Sequence, residues 1–516
     1  MTASKFLYGA SVQGIQGYIF STNKLNEIIG GSQLVDHLCK DFFKNQIIKF
    51  GEFKEQNLLL SAAGNMKYLF ENKKHCEDFV KFFPKNSANH APGIRIVQSV
   101  VELNSVSPES SDFEKLEDLL QIQKNKHYPL LDMGWMTFER SRRTGIPAVE
   151  WVSEKKEAKD SIQLKKALEA KNKRGLTKNI FPEYENYIFE FPYELEDFKD
   201  NWMAVIHADG NSLGQKIQKL AAFFKDEPDK TNGKAYHEAL KAFSKTIELA
   251  TEAAAQKAFN EVVLPVVIET EALPLRPVLL GGDDITMIIE AQYAFQFMQK
   301  YLRYFEEQTK EKFLNYHNEF GFTGFKNGFT ACAGIAYIKN SFPFHYGAEL
   351  SEGLCKEAKK VAKNINKSEP PSCLYFYKVQ SSYTTSNYSD LIAKELTIIL
   401  KRENDAEKDK ELRIDAGPYF IHDQPGEKTT DFIAEKVDKL KDPKAPASPI
   451  RNWLSVLHKN PYQADFLLKR INYNGFSKEE CFFAKKDEKE YTWVADALLL
   501  HSFEKIKTKT DERYIL

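Results

Sequence analysis

Along this chain, short stretches in which apolar residues alternate or run unbroken are separated by longer ones in which they return every three or four positions. The first pattern predicts strands and the second helices. "FLYGASVQG" (6 to 14) predicts a strand, and "NEIIGGSQLVDHLCKDFFKNQIIKF" has helical spacing, although Gly30-Gly31 weakens its start. "NLLLSAAGNMKYLF" (57 to 70) predicts two short strands about a small-residue turn, "KHCEDFVKFF" a helix and "GIRIVQSVVEL" a strand. The order is βαββαβ, the ferredoxin-like arrangement.

A second region repeats that order with longer elements. "WMAVIHADG" (202 to 210) predicts a strand, "AYHEALKAFSKTIELATEAAAQKAF" (235 to 259) a helix and "RPVLLGGDDITMIIE" a hairpin. "AQYAFQFMQKYLRYFEEQTKEKF" (291 to 313) predicts a helix and "GFTACAGIAYIK" (328 to 339) a closing strand. One architecture occurring twice points to an internal duplication. The fold class expected is therefore α+β, with a first palm-like domain over 1–105, an inserted linker subdomain over 106–200, a second palm domain over 201–385 and a C-terminal helical domain over 386–516. In the linker, "SEKKEAKDSIQLKKALEAKNKRG" predicts a solvated helix and "FPEYENYIFEFPYELEDF" a loop. Beyond 385, "YSDLIAKELTIILKRE", "TTDFIAEKVDKL", "IRNWLSVLHKNPYQADFLLKRI" and "TWVADALLLHSF" all carry helical periodicity.

Composition narrows the function classes. Lys+Arg 72 against Asp+Glu 73 leaves the chain close to neutral, so any contact with nucleic acid must be local. No apolar run approaches the roughly 18 residues that span a bilayer, and "MTASKFLYGASVQG" has no signal-peptide pattern, so the expected location is cytoplasmic, away from membranes. The six cysteines form no C-x-x-C pair, and they read as reduced, mostly buried thiols.

The chemistry concentrates in the second unit. Asp209 ends an apolar strand and is followed by Gly210, while Asp283 and Asp284 occupy the tip of a hairpin after Gly281 and Gly282. In a βαββαβ sheet the first strand lies beside the hairpin, so these three carboxylates can converge on one edge. Clustered like charges raise one another's pKa unless cations neutralise them, and hard oxygen ligands suit two Mg²⁺ or Mn²⁺ ions. Such a pair of ions can activate an attacking hydroxyl and stabilise a leaving phosphate. Glycines beside the carboxylates leave room for a nucleotide, and "DGNSLGQK", with Gly210, Asn211 and Ser212, opens a helix whose free N–H groups suit a triphosphate. The plainer reading of Gly-Gly-Asp-Asp, on its four letters alone, is a tight hairpin turn. His207 reads as a strand residue packing beside the site.

The stretches "VIHADGNSLGQKI", "LLGGDDITMII" and "TACAGIAYIKNSFPFHYGAELSEGLCKEAKKVAK" resemble the polymerase/cyclase palm of the large subunit of type III CRISPR effector complexes, and more distantly the GGDEF cyclases. The resemblance implies an Mg-dependent nucleotidyltransferase that converts ATP into cyclic oligoadenylates in antiviral defence. It implies Asp209, Asp283 and Asp284 as metal ligands, Gly281 and Gly282 as the space for a nucleotide, and Lys339 and Lys359 near its phosphates. It also implies other effector subunits, guide RNA and target RNA as partners. "LYGASVQGIQGYIFSTNKLNEIIGGSQLVDHL" looks like the family's first palm; there Ala-Ala-Gly-Asn replaces Gly-Gly-Asp-Asp and Gln13 stands where Asp209 stands, which makes the first unit a noncatalytic copy.

Departures from the family pattern temper this. The first palm pattern begins almost at once, His422-Asp423 reads as a loop pair, and DNA cleavage by an HD nuclease is not expected. "RSRRTGIPAVEW" (140 to 151) stands where zinc-binding cysteines are often found, so no structural zinc is expected. Two other readings stay open: a noncatalytic scaffold subunit of a CRISPR RNA-guided complex, and a cyclase making another cyclic or adenylylated nucleotide.

Overall fold

A computed structural model describes residues 5–511 apart from 63, 106, 127–136, 153–156, 172–174, 183–191, 199–200, 268–272, 381–387, 401–409, 458, 472–475 and 486–488. Half of the expected aromatic loop after Ile180, residues 183–191, lies outside the described residues. The first unit comprises β1 (Phe6–Gln13), α1 (Ile15–Ile19), α2 (Leu25–His37), α3 (Phe43–Phe50), β2 (Leu58–Ala62), β3 (Asn65–Phe70), α4 (Lys73–His90) and β4 (Arg95–Glu102). Its antiparallel sheet runs β2-β3-β1-β4, the spatial order that a βαββαβ chain adopts. Side chains alternate across β1. Phe6, Tyr8, Ala10 and Val12 pack into an aromatic core with Phe43, Phe79 and Phe83, whereas Leu7 joins the core on the opposite face. That opposite face is crossed by α5 (Ser110–Lys124): a Cβ built on Gly9 would lie 2.8 Å from Leu116 Cδ2.

The linker carries β5 (Glu150–Val152), β6 (Glu157–Lys159), α6 (Ser161–Glu169) and α7 (Thr177–Ile180). The solvated helix expected here is shorter, and Lys166 is buried with its ammonium donating to the Tyr18 carbonyl and to Ser21 Oγ. The reason is α2. A Cβ on Gly30 would lie 1.8 Å from the Lys166 carbonyl oxygen, so the glycine pair that weakens the helix in sequence is what lets α6 lie against it. The basic segment at 140 to 144 is tied into the same place: Arg143 pairs with the buried Glu27 and with Glu157, and Thr144 donates to Asp160. Ion pairs and hydrogen bonds thus hold this segment in place.

The second unit comprises β7 (Trp202–Gly210), α8 (Leu213–Asp226), α9 (Tyr236–Val262), β8 (Leu275–Gly281), β9 (Asp284–Glu290), α10 (Ala291–Lys312), α11 (Leu314–Phe320), β10 (Ala331–Lys339), α12 (Phe344–Ile365) and β11 (Cys373–Lys378). The C-terminal region adds α13 (Tyr388–Leu391), β12 (Thr397–Leu400), β13 (Lys410–Arg413), β14 (Tyr419–Phe420), α14 (Thr430–Lys441), α15 (Ala447–Leu457), α16 (Pro461–Lys469), α17 (Lys478–Cys481), β15 (Phe482–Ala484), β16 (Glu490–Thr492) and α18 (Val494–Asp511). The second sheet runs β14-β11-β10-β7-β9-β8, so the ferredoxin-like core is extended by β11 and by a C-terminal strand. The region beyond 385 is not purely helical: it contains a four-stranded sheet in the order β12-β13-β16-β15. Those strands are three or four residues long, too short for a period-two signal to stand out.

The two units pack reciprocally. Leu25, Ile28, Ile29, Leu34 and Val35 from α2 and its start share a core with Met203, Val205, Val278, Ile288 and Ile338 of the second sheet. A bulge in β8 takes Val278 out of register with β9, and the Ser32 hydroxyl donates to its carbonyl. In return α9 packs against β2, where Lys241 Nζ donates to the Glu55 carbonyl at 2.8 Å. All six cysteines are buried and unbridged. Among the described residues no helix is long and apolar enough to cross a membrane.

Candidate metal centre

Strand pairing brings the carboxylates together. β7 and β9 are antiparallel with Ala208 opposite Ile285, so one further step sets Asp209 beside Asp284 at the end of both strands. The β8–β9 loop has two residues between the Gly281–Asp284 pair, and Gly282 takes a φ of 62°, a left-handed value that glycine adopts without strain. This tight turn presents Asp283. One carboxylate oxygen from each of Asp209, Asp283 and Asp284 lies within 4.8 Å of the others. Gly210 makes the approach possible, because a Cβ there would stand 2.8 Å from Asp283 Oδ2.

Charge in the cluster is finely divided. Burial, and then the Asp209 carboxylate, push Asp283 up to about 7. Burial and the charges of Asp283 and Asp209 raise Asp284 well above the usual carboxylate range. Burial alone would raise Asp209 too, but the charge and hydrogen bond of Lys359 reverse this and hold it below its ordinary value. Lys359 reaches in from α12, paired with Asp209 and donating to the Gly210 carbonyl at 2.8 Å. Burial and mutual repulsion on this scale are what a bound cation would relieve. A donor set made only of carboxylate oxygens fits Mg²⁺ or Mn²⁺, and a vicinal pair on one turn facing a third across the strands fits a shared site.

Of the residues singled out in the sequence, Asp209, Gly210, Gly281, Gly282, Asp283, Asp284 and Lys359 meet at this end of the sheet. Asn211 and Ser212 follow directly and lead into α8, with Ser212 left-handed at φ 58° as its N-cap. The Asn211 amide is turned inward, donating to Thr330 Oγ1 at 3.1 Å and to the Pro370 carbonyl at 3.4 Å. It braces the strand end rather than facing a ligand. Lys339 is not part of the cluster. β10 runs antiparallel to β7, so Lys339 stands opposite Trp202, seven positions from Asp209 and about 23 Å along the strand. His207 is buried, its Nδ1 3.0 Å from Thr286 Oγ1, and burial lowers its pKa, which fits a packing role. His422 is a loop residue within 2.8 Å of the Glu306 carboxylate.

The first unit also differs from the sequence alignment in one place. Asn65 of β3 occupies the position of Asp284, and its partner in β1 is Ser11, not Gln13. Ser11 is therefore the counterpart of Asp209; Gln13 lies two residues further on the same face, with its amide 3.4 Å from Ser11 Oγ. Sequence reading also passed over Thr251, whose Oγ1 donates to the Gly282 carbonyl at 2.7 Å. The available signal was a hydroxyl among the buried Ile247, Ala250, Ala254 and Ala255 of α9.

Residues 202–367 match the family described as Cas10/Cmr2, second palm domain. No curated protein matches the chain in sequence. Among solved structures, the Csm1-Csm4 cassette in complex with cA4 superposes with a TM-score of 0.56 at 12% identity, covering 97% of this chain and 70% of that one. The Csm1-Csm4 cassette in complex with AMPPNP gives 0.51 at 11% identity over the same shares. The Csm1-Csm4 subcomplex of the type III-A CRISPR-Csm interference complex gives 0.50 at 13% identity, again covering 97% and 70%. Residues 202–367 thus match a Cas10/Cmr2 second palm domain, and the chain shares its fold with Csm1.

Proposed function

We propose that the protein is a metal-dependent nucleotidyltransferase that joins ATP into cyclic oligoadenylate-type products, as the large subunit of a type III CRISPR-like effector. The observation that carries this reading is the convergence of Asp209, Asp283 and Asp284 on one point, with Gly210 clearing the space between them. The similarity to structures holding cA4 and AMPPNP supports it. Assembly with a Csm4-like subunit, guide RNA and target RNA belongs to the same proposal.

In the reaction the 3′-oxygen of one ATP forms a bond to the α-phosphorus of a second; the bond to pyrophosphate breaks and the hydroxyl proton passes to water. Asp209, Asp283 and Asp284 would hold two divalent ions, which would supply Lewis acidity to the attacking oxygen and to the phosphate. Asp209 offers a carboxylate kept ionised by Lys359, so part of the site is charged before any cation arrives. Asp283 and Asp284, held toward protonation by burial and mutual charge, would give up their protons to such ions. Gly281 and Gly282 let the backbone approach the nucleotide, and the start of α8 after Ser212 offers N–H groups to its phosphates.

The test uses purified protein with labelled ATP and Mn²⁺, alone and with partner subunits and target RNA, and mass spectrometry of the products. The wild type yields 3′-5′-linked oligoadenylates, and Asp283→Ala with Asp284→Ala yields none while melting cooperatively. Product from the double variant overturns the reading. A wild type silent even within a complete complex with its target RNA establishes the scaffold alternative.

A further inference from the structure

The turn that presents Asp283 is attached to the rest of the molecule at one buried point. Gly282 lies between the last paired residues of β8 and β9, so its carbonyl is outside the ladder. Its partner is Thr251, fully buried in the middle of α9. A threonine within a helix ordinarily turns its hydroxyl back to the carbonyl one turn earlier. Here it is directed across the core to the turn. The hydroxyl of Tyr301, fully buried on α10, faces the same spot: burial, then Asp283 and Asp284, raise that phenol, and Thr251 lowers it.

The helix that holds the turn is itself held from the other side. Glu248 is 3.7 Å from the Lys40 ammonium of the first unit, and Glu252 accepts from the Asn179 amide of the linker at 2.7 Å. Gln256 donates to the Asn179 carbonyl at 2.8 Å. Thr251 sits among these anchors, three residues after Glu248 and one before Glu252, and reaches the turn.

We infer that Thr251 is a positioning residue for the metal centre: its hydroxyl fixes the Gly282 carbonyl, and through it the direction in which Asp283 presents its carboxylate. The inference rests on the reading of the three aspartates as metal ligands. A ligand set is useful only when held to within about 0.5 Å, and loss of an outer hydrogen bond that orients a ligand typically weakens metal binding 10–100-fold. Removing this hydroxyl leaves the Gly282 carbonyl unpaired and frees the turn to rotate about its glycine. Asp209, held separately by Lys359, stays in place.

The experiment measures free Mn²⁺ by electron paramagnetic resonance in titrations of the purified full chain. Thr251→Val, close in shape but without the hydroxyl, is expected to raise the Mn²⁺ dissociation constant about tenfold or more. Thr251→Ser, which keeps the hydroxyl, is expected to restore it. In turnover with ATP, Thr251→Val raises the Mn²⁺ concentration needed for half-maximal rate and leaves the KM for ATP unchanged, a split that loss of packing alone does not produce. Wild-type Mn²⁺ affinity in Thr251→Val overturns the inference, as does a Thr251→Ser variant no better than Thr251→Val. If the wild type binds Mn²⁺ through the aspartates but makes no product, the proposed activity fails and the positioning role stands. If it binds no Mn²⁺, both fall.

Discussion

The two units of this protein treat the same sheet face in opposite ways. In each, the helix that follows the last strand folds back across that face: α5 after β4, and α12 after β10. In the first unit α5 delivers a carboxylate, Glu117, to a lysine of the sheet, Lys67, and Leu116 fills the space above Gly9. In the second, α12 delivers an ammonium, Lys359, to a carboxylate of the sheet, Asp209. The sign of the pair is inverted while the scaffold is kept. The turns differ as well, since the left-handed residue is Gly64 in the first unit, at the position of Asp283, and Gly282 in the second. What separates a packing surface from the proposed metal centre on this fold is therefore a handful of side chains and the place of one glycine, not topology.

Exchanging the distinguishing residues tests that statement most severely. Asp209→Ser, which installs the first unit's residue, is expected to weaken Mn²⁺ binding by at least about 100-fold, since it removes a proposed direct ligand where even outer contacts are worth 10–100-fold. The reverse exchange, Ser11→Asp with Gly64→Asp and Asn65→Asp, is expected to create no tight site and to lower the melting temperature. Leu116 and Glu117 already occupy that face, and an aspartate at 64 would have to adopt a φ of 78°. A second tight site in titrations of the triple variant would break the comparison.

Next in size is the pair of helix contributions. Lys359→Met strands Asp209 among like charges and is expected to cost the metal-free protein about 1–3 kcal/mol by denaturant unfolding, with Mn²⁺ recovering much of it. Glu117→Gln is expected to cost under about 1 kcal/mol, because Glu117 is half exposed and water replaces it. Equal costs would mean that α12 does no more electrostatically than α5.

The smallest effect is one of pH. Asp283 has a pKa of about 7 in the folded protein against an ordinary 3.8, so the folded state holds that proton more tightly than the unfolded chain. Its contribution is complete below about pH 4, declines as the pH rises and is gone above about 7. Wild type and Asp283→Asn should therefore diverge over that window in metal-free buffer, with the wild type losing on the order of 2–4 °C more in melting temperature. Saturating Mn²⁺ should abolish the difference. The contrast with the variant matters, because Asp496, also near 7 through burial and the Asp415 charge, gives a parallel decline from the C-terminal region.

Much of the fold was legible in the sequence because both units obey period rules: apolar strands such as "MAVIHA" and long amphipathic helices such as 235 to 259 leave clear signals. The carboxylate cluster was legible for a related reason, since topology alone sets the ends of β7 and β9 side by side. Lys339 went wrong through strand direction: in an antiparallel pair, the end of β10 is the far end from Asp209. Gln13 went wrong through register, which a gap-free reading of one strand cannot supply and which pairing with Asn65 settles in favour of Ser11. Lys166 and the short C-terminal strands escaped because burial of a lone lysine, or pairing of three residues, depends on partners distant in the chain.

The lodging of α2 on the second sheet bears on how this chain can be cut. Cleaving at a boundary near residue 201 would strip Met203, Val205, Val278, Ile288 and Ile338 of their cover and leave the β8 bulge with an unclaimed carbonyl. A fragment of the second unit would thus present a wet, adhesive sheet in place of a floor. Each unit serves as the other's solvent shield, and neither is a module to be lifted out and grafted elsewhere.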